Sequence, residues 1–249
     1  SALPEDFEAM INEGLHHQYK FSTLYLNRGI LKNNLPFFSS AGWIAGVTST
    51  DWSWAALFAD FDLDGWKDLY VTNGSRRDMN NADFFNELVK SEEQDKPDLL
   101  KQVTKMPSLS LTNYMFRNNG DLTFTRYNEQ WNLNETSYSN GVAYADLDND
   151  GDLELIVNNI DQEALIYKNN ASEMKSGNYL KIKFNGTPKN KMGIGSCVTI
   201  WQKGKKQFAE LTLSRGYESS VEPIIYFGLA KDTMIDSLKV KWSDGRVQK

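Results

Sequence analysis

The sequence predicts a mainly β protein in two parts, strand repeats with a helical insertion followed by a small antiparallel β-domain. Three observations lead there. A fifteen-residue window occurs twice, each time between apolar strand-like runs. The stretch between the two copies switches to helical spacing. Beyond about Ser176 apolar and charged residues alternate.

Residues 1–22 read as an N-terminal helical or leader segment, with Phe7, Ile11 and Leu15 on one face of a short helix from Pro4. The opening Ser1-Ala-Leu-Pro-Glu has neither an initiator Met nor a signal peptide, and reads as a mature or excised fragment. His16 and His17 are the only histidines. Neighbours on a helix point in different directions, so a packing or capping role is expected rather than a metal pair.

Residues 23–175 carry the repeats. Ala59 to Asn73 and Ala145 to Asn159 align without a gap, sharing the Ala, three alternating Asp, the Gly, and the trailing Leu, Val and Asn. Apolar runs flank each copy, Trp54 to Phe58 and Leu69 to Val71 around the first, Gly141 to Tyr144 and Leu155 to Val157 around the second. Each unit therefore reads strand, acidic loop, strand. A second element, a strand ending in an Asn/Gly turn, recurs at Leu24 to Gly29, Tyr114 to Gly120 and Leu165 to Asn170. That gives two units and part of a third.

The insertion spans about 75–110. Phe84, Phe85, Leu88 and Val89, then Leu99, Leu100, Val103 and Met106 after Pro97, recur at helical spacing. Residues 176–249 form the second part. Leu180, Ile182 and Phe184 alternate with lysines, and so do Leu238, Val240 and Trp242, while Ala209, Leu211 and Leu213 follow the same period. Asp244-Gly245 is a hairpin turn, so a last strand is expected from Arg246, cut short by the end of the chain.

Composition removes several function classes. The net charge of -6 and the lack of a basic stripe argue against nucleic acid. No run approaches the roughly 20 apolar residues of a membrane-spanning helix, so direct membrane insertion is not expected. Cys197 is the only cysteine and sits in the apolar run to Trp201, which fits a buried structural thiol. Gly193-Ile-Gly195 lacks the context of a phosphate loop and reads as a tight turn. Asn73, Asn134, Asn170 and Asn185 begin Asn-x-Ser/Thr sequences that fit chance.

The chemistry lies in the acidic loops. Counted from Asp60, carboxylates stand at positions one, three, five and nine, at Asp60, Asp62, Asp64 and Asp68; counted from Asp146, they are Asp146, Asp148, Asp150 and Glu154. Several oxygens converging on one point suit Ca²⁺, and Gly65 or Gly151 permits the sharp turn around it. Trp66 and Asp152, at position seven, would offer backbone carbonyls. An EF-hand requires Glu at position twelve and flanking helices, whereas Val71 and Val157 stand there in strand-like runs. Mg²⁺ rarely accepts an all-protein carboxylate cage. Two Ca²⁺ sites are expected, structural rather than catalytic.

These residues resemble the FG-GAP/VCBS repeat family, whose integrin-like calcium loops run Asp-x-Asp-x-Asp-Gly-x-x-Asp between two strands of a β-propeller blade. The resemblance covers about His16 to Asn170 and implies a partial β-propeller-like architecture. It carries ligand roles to Asp60, Asp62, Asp64, Trp66 (carbonyl) and Asp68, and to Asp146, Asp148, Asp150, Asp152 (carbonyl) and Glu154. Glu154 departs from the family Asp, and its longer arm implies altered geometry. The C-terminal part resembles the ASPIC/UnbV domain, common behind such repeats in bacterial extracytoplasmic proteins. The residues carrying this are Asn190 to Gly195, Arg215 to Ser219, Tyr226 to Leu229 and Val240 to Gly245. His17-Gln-Tyr and Thr50 to Trp54 also resemble long repeat proteins of Bacteroidetes-type bacteria. A closed propeller of this kind has about seven blades. Two and a half therefore imply a longer parent chain, or packing against the second domain or another copy.

Trp43, Trp52 and Trp54 surround the first loop and are read as core rather than as a sugar platform. Arg76, Arg77 and Asp78 are read as a solvated helix start. The expected function is a noncatalytic, calcium-stabilised recognition or adhesion module that binds a protein or glycan at the cell surface. Its expected location is extracytoplasmic: periplasmic, outer-membrane-associated or secreted. The alternative is a carbohydrate- or phosphoester-active enzyme with a cleft near the insertion, for which Asp78, Asp83 and Glu87 are the nearest acid donors. A third is a structural spacer. No catalytic residue is assigned.

Overall fold

The computed structural model describes residues 8, 11–14, 21–32, 34–78, 81, 83–84 and 104–249. The chain divides into two compact units, one of residues 1–51 and 75–110, the other of 52–74 and 111–249.

In the first unit β1 (Tyr25–Ile30) pairs antiparallel with β2 (Pro36–Ser40), and a single helical turn, α1 (Gly42–Ala45), follows. The strand does not stop at Asn27 as the Asn/Gly pattern implies. It runs through Gly29 to Ile30 with an irregularity between Asn27 and Ile30, because the turn forms later, where Leu31 N–H donates to the Leu35 carbonyl. Residues 8, 11, 12, 83, 84, 104 and 105 are helical. The rest of the expected helices, including Phe7, Leu15, Phe85, Leu88, Val89, Leu99, Leu100 and Val103, lie outside the described residues, as do His16, His17 and Glu87. Ser75 and Leu109 form a bridge that closes the base of the insertion, and Arg77 Nη1 donates to the Met106 carbonyl at 2.9 Å.

The second unit contains both acidic loops. β3 (Ser53–Ala59) and β4 (Asp68–Asn73) form the first hairpin. After β5 (Leu111–Thr112) come β6 (Tyr114–Asn118) and β7 (Phe124–Arg126), which complete a sheet of order β3-β4-β6-β7. β8 (Thr136–Ser137) pairs with β5. β9 (Ser139–Ala145) and β10 (Glu154–Asn159) form the second hairpin, and β11 (Leu165–Tyr167) adds to β10.

The two hairpins share a register. Ala59 faces Asp68 as Ala145 faces Glu154, and Leu57 faces Tyr70 as Ala143 faces Ile156. Even the irregular ends match, with Ser53 opposite Asn73 and Ser139 opposite Asn159. Period-two alternation turns Ala55, Leu57 and Ala59 inward, where they join Phe61, Tyr70, Met115, Val142, Leu153, Leu155 and Val157 in one core. The apolar faces of the two repeats are thus buried against each other. Each fully buried Leu or Val contributes roughly 2 kcal/mol. Polar bonds add register across the seam: the Thr72 hydroxyl donates to the Asn140 carbonyl at 2.6 Å, and Asn113 Nδ2 donates to Ser139 Oγ at 2.9 Å.

The C-terminal strands are β12 (Asn178–Lys183), β13 (Cys197–Gln202), β14 (Lys205–Glu210), β15 (Ile224–Ala230), β16 (Ser237–Lys241) and β17 (Val247–Gln248). They make a β12-β15 pair and a sheet of order β14-β13-β16-β17 around a second core that includes Val198, Ile200, Phe227 and Val240. The last strand begins at Val247, one residue after the expected start. The fold is mainly β, without a closed barrel. Among the described residues no helix is long and apolar enough to cross a membrane.

Candidate metal centre

Each acidic loop spans the mouth of its hairpin, and the backbone has to reverse within it. Leu63 and Asn149, both at position four, have φ of 62°, and Gly65 and Gly151 have φ of 91° and 96°. Only Gly takes this left-handed geometry without strain. Gly151 also passes under the Tyr179 ring, where a Cβ would overlap the ring atoms.

The backbone then organises the carboxylates. In the first loop Gly65 N–H donates to Asp60 Oδ2 at 2.9 Å and Trp66 N–H to Asp64 Oδ1 at 2.8 Å. Asp68 closes the loop by accepting from Phe61 N–H at 3.1 Å and from Asn118 N–H at 2.9 Å. In the second loop Asp152 N–H donates to Asp150 Oδ1 at 3.1 Å. Glu154 accepts from Leu147 N–H at 2.7 Å and from Asn169 N–H at 3.3 Å. Leu147 and Asn169 correspond to Phe61 and Asn118, so the longer Glu arm performs the same two tasks as Asp68.

Two sets of oxygens converge. Asp60, Asp62 and Asp68 each bring one within 4.8 Å of the others, and so do Asp146, Asp148 and Glu154. A third set joins Asp148 and Asp150 to Glu173, which the loop spacing does not include. Asp64 turns its Oδ2 to Arg117. Trp66 is exposed at position seven, whereas its counterpart Asp152 is fully buried, with Oδ2 taking the Ser172 N–H at 2.7 Å.

Buried carboxylates crowded together resist ionisation. Burial, reinforced by the charges of Asp62 and Asp64, pushes the Asp60 carboxyl up to about 7. Burial and the charge of Asp62 push Asp68 up to about 8. Asp150 rises to about 6 through burial and the charges of Asp152 and Asp148. Asp146 Oδ1, Asp150 Oδ2 and Asp152 Oδ1 are buried without a hydrogen-bond partner. An anionic cage with unpartnered oxygens fits a hard cation, because such a charge offsets both the repulsion and the lost hydration.

The C-terminal strands meet these loops. Gly228 N–H donates to Asp60 Oδ2 at 3.1 Å, Ala230 N–H to the Leu63 carbonyl at 2.8 Å, and Asp146 N–H to Glu222 Oε1 at 3.0 Å. Lys181 Nζ lies 2.8 Å from Asp146 Oδ2. None of these contacts has a local sequence signature, although the resemblance did single out Tyr226 to Leu229.

The other candidates have ordinary surroundings. Trp43 is 67% exposed with its ring edge-on to Phe21, so it is not core. Its small neighbours Gly42 and Ala45 take the buried positions instead. Trp54 is 36% exposed and not core either; its Nε1 donates to the Gly74 carbonyl at 2.7 Å. Asp78 N–H donates to the Pro107 carbonyl, and Arg77 is tied to Met106, so this stretch is stapled to the base of the insertion. Burial pushes the Cys197 thiol up, which suppresses the thiolate. Gly193 N–H donates to the Asn190 carbonyl in a tight turn. Asn73 is fully buried, which removes it as a glycan acceptor.

A search of curated proteins finds no match to the chain. The family model described as FG-GAP-like repeat matches residues 97–157, and the model described as ASPIC and UnbV matches residues 186–249. The second loop lies within the first match; the first loop precedes it and repeats its register and donors. The chain therefore carries FG-GAP-like repeat structure followed by an ASPIC/UnbV domain.

Proposed function

We propose that the protein is a noncatalytic, calcium-stabilised recognition or adhesion module that works outside the cytoplasm, holding one Ca²⁺ in each acidic loop and binding a protein or glycan partner. The observation that carries the metal reading is the duplication of one backbone cradle with converging carboxylate oxygens, three of which, all in the second loop, are buried without a partner. Asp60, Asp62 and Asp68 would hold one ion, with Asp64 and the Trp66 carbonyl beside them. Asp146, Asp148 and Glu154 would hold the other, with Asp150 and Asp152. Ca²⁺ suits such a cage better than Mg²⁺, which keeps much of its water.

The ion supplies charge, not chemistry. Asp68 and Glu154 each tie the loop to the next strand through Asn118 or Asn169, so an ion anchored on them cross-links three strands of one sheet. A stiff set of loops at one edge of a β-scaffold favours recognition, since loops carried on rigid strands present a fixed surface. An extracytoplasmic setting fits, because millimolar Ca²⁺ there saturates sites of modest affinity.

Calorimetric titration of Ca²⁺ into the chelator-stripped chain tests this reading. The expected result is two ions per chain, with a melting temperature that rises with free Ca²⁺ by mass action. A chain that takes up no ion at millimolar Ca²⁺ contradicts it. Glycan arrays on the loaded protein, compared with the stripped protein, then test the recognition half of the proposal.

A further inference from the structure

Beside each loop, strand position and side-chain chemistry recur together. β6 sets Phe116 opposite Leu69, and β11 sets Tyr167 opposite Leu155. Leu69 and Leu155 occupy the same place in the duplicated window, so the residues that follow on the flanking strands, Arg117 and Lys168, are also counterparts. Both are basic, and both reach the third-position carboxylate of their loop. Arg117 Nε lies 2.6 Å from Asp62 Oδ2, and its Nη2 lies 2.7 Å from Asp64 Oδ2. Lys168 Nζ lies 3.3 Å from Asp148 Oδ2 and 2.8 Å from Glu173 Oε1.

We infer that Arg117 and Lys168 are tethered cations that compete with the metal ion for the third-position carboxylate of each loop. They hold the loop together when the ion is absent and lower its affinity for the ion. This rests on reading the loops as calcium sites. Four or five acids within nine residues repel one another, and a fixed positive side chain relieves part of that without any ion. When a divalent cation arrives, the same side chain is a like charge a few ångströms away and holds oxygens the ion requires.

The two loops are not equally blocked. Arg117 grips two acids of its own loop with a planar fork, and its side chain is 31% exposed. Both third-position acids have both oxygens engaged, but Asp62 is gripped at 2.6 Å by Arg117 and at 3.2 Å by Asp64 N–H, whereas Asp148 is held at 3.3 Å by Lys168 and at 3.4 Å by Asp150 N–H. Lys168 is 57% exposed and divides its charge between Asp148 and Glu173, outside the loop. Lys181 also faces the second loop, but it takes Asp146 Oδ2 and leaves Oδ1 without a partner. The second loop is therefore the tighter ion site and fills first. The first waits for higher Ca²⁺.

The test is Ca²⁺ titration of the chelator-stripped full chain for the wild type, R117Q, R117K and K168Q, together with melting curves in chelator. R117Q is expected to tighten the weaker site by about tenfold and to lower the melting temperature in chelator. R117K keeps the charge without the fork and should fall between R117Q and the wild type; it also decides the matter should R117Q not fold without ion. K168Q should tighten the other site only a few-fold. If the wild type binds Ca²⁺ but R117Q and R117K leave both affinities unchanged, or weaken them, competition is overturned and these side chains merely orient the acids. A wild type that takes up no ion overturns instead the reading of the loops, and this inference with it.

Discussion

The loop at Asp60 and the loop at Asp146 are built on the same backbone but present different electrostatics. Positions four and six have the same left-handed conformations in both, the closing acid accepts the same two N–H donors, and the hairpin registers match residue for residue. The side chains diverge. The first and last acids are almost fully buried in both loops, Asp60 and Asp68 as well as Asp146 and Glu154, but it is in the first loop that their carboxyls are pushed up to about 7 and 8. In the second loop the value reached by Asp150 is about 6, and Tyr179 packs over its glycine. Backbone geometry is thus set by glycine, main-chain donors and hairpin register, whereas neighbouring charges, acidic and basic, adjust how strongly each loop calls for a cation.

The largest expected consequence is pH dependence without ion. A carboxyl whose folded pKa lies above its unfolded value favours the folded state when protonated. That stability is fully present below the unfolded value of about 4 and is lost as pH rises through the folded one. In chelator, stability should therefore fall between about pH 4 and 8, by a few kcal/mol, mostly through Asp60 and Asp68. Urea unfolding across that range measures it. Asp60→Asn should flatten the slope more than Asp150→Asn, and equal effects would erase the contrast between the loops. Saturating Ca²⁺ should remove most of the slope, because the ion replaces the protons.

A smaller effect separates the two glycines. Gly151→Ala forces both a left-handed Ala and a collision with the Tyr179 ring, at a cost of about 3 kcal/mol. Gly65→Ala meets Gln207 Nε2 at 3.1 Å, a flexible side chain, and the Gly228 carbonyl at 3.3 Å, crowding rather than ring overlap, so about 1–2 kcal/mol is expected. Equilibrium unfolding of both variants in Ca²⁺ checks the order. A larger loss for Gly65→Ala would place the close packing at the wrong loop.

The hairpins were legible in the sequence because their information is local. Alternating acids, a glycine and trailing apolar residues within fifteen positions specify a turn and a register, and both occur as read. The helical insertion shows this only at Asp83, Phe84, Thr104 and Lys105 among the described residues. What stayed hidden depends on distance along the chain. Glu173, Lys181, Glu222 and Gly228 reach the loops from 23 to 168 residues away only once the sheets have packed, so no spacing announces them. Arg117 and Lys168 did leave a trace, as the shared base before the Asn-Asn pair of two repeats. The Tyr25–Ile30 strand outran its Asn/Gly pattern because a bulge absorbed the glycine. Trp43 was expected inside because tryptophans in strand-rich repeats usually are, yet the small residues Gly42 and Ala45 beside it take the buried positions.

The most direct measurement is a crystal structure of the chain grown in Ca²⁺, with anomalous scattering used to identify the ion. Ion density should stand among Asp60, Asp62 and Asp68, and again among Asp146, Asp148 and Glu154, with oxygens at about 2.3–2.6 Å. Density at neither cluster, in crystals soaked at millimolar Ca²⁺, would contradict the account.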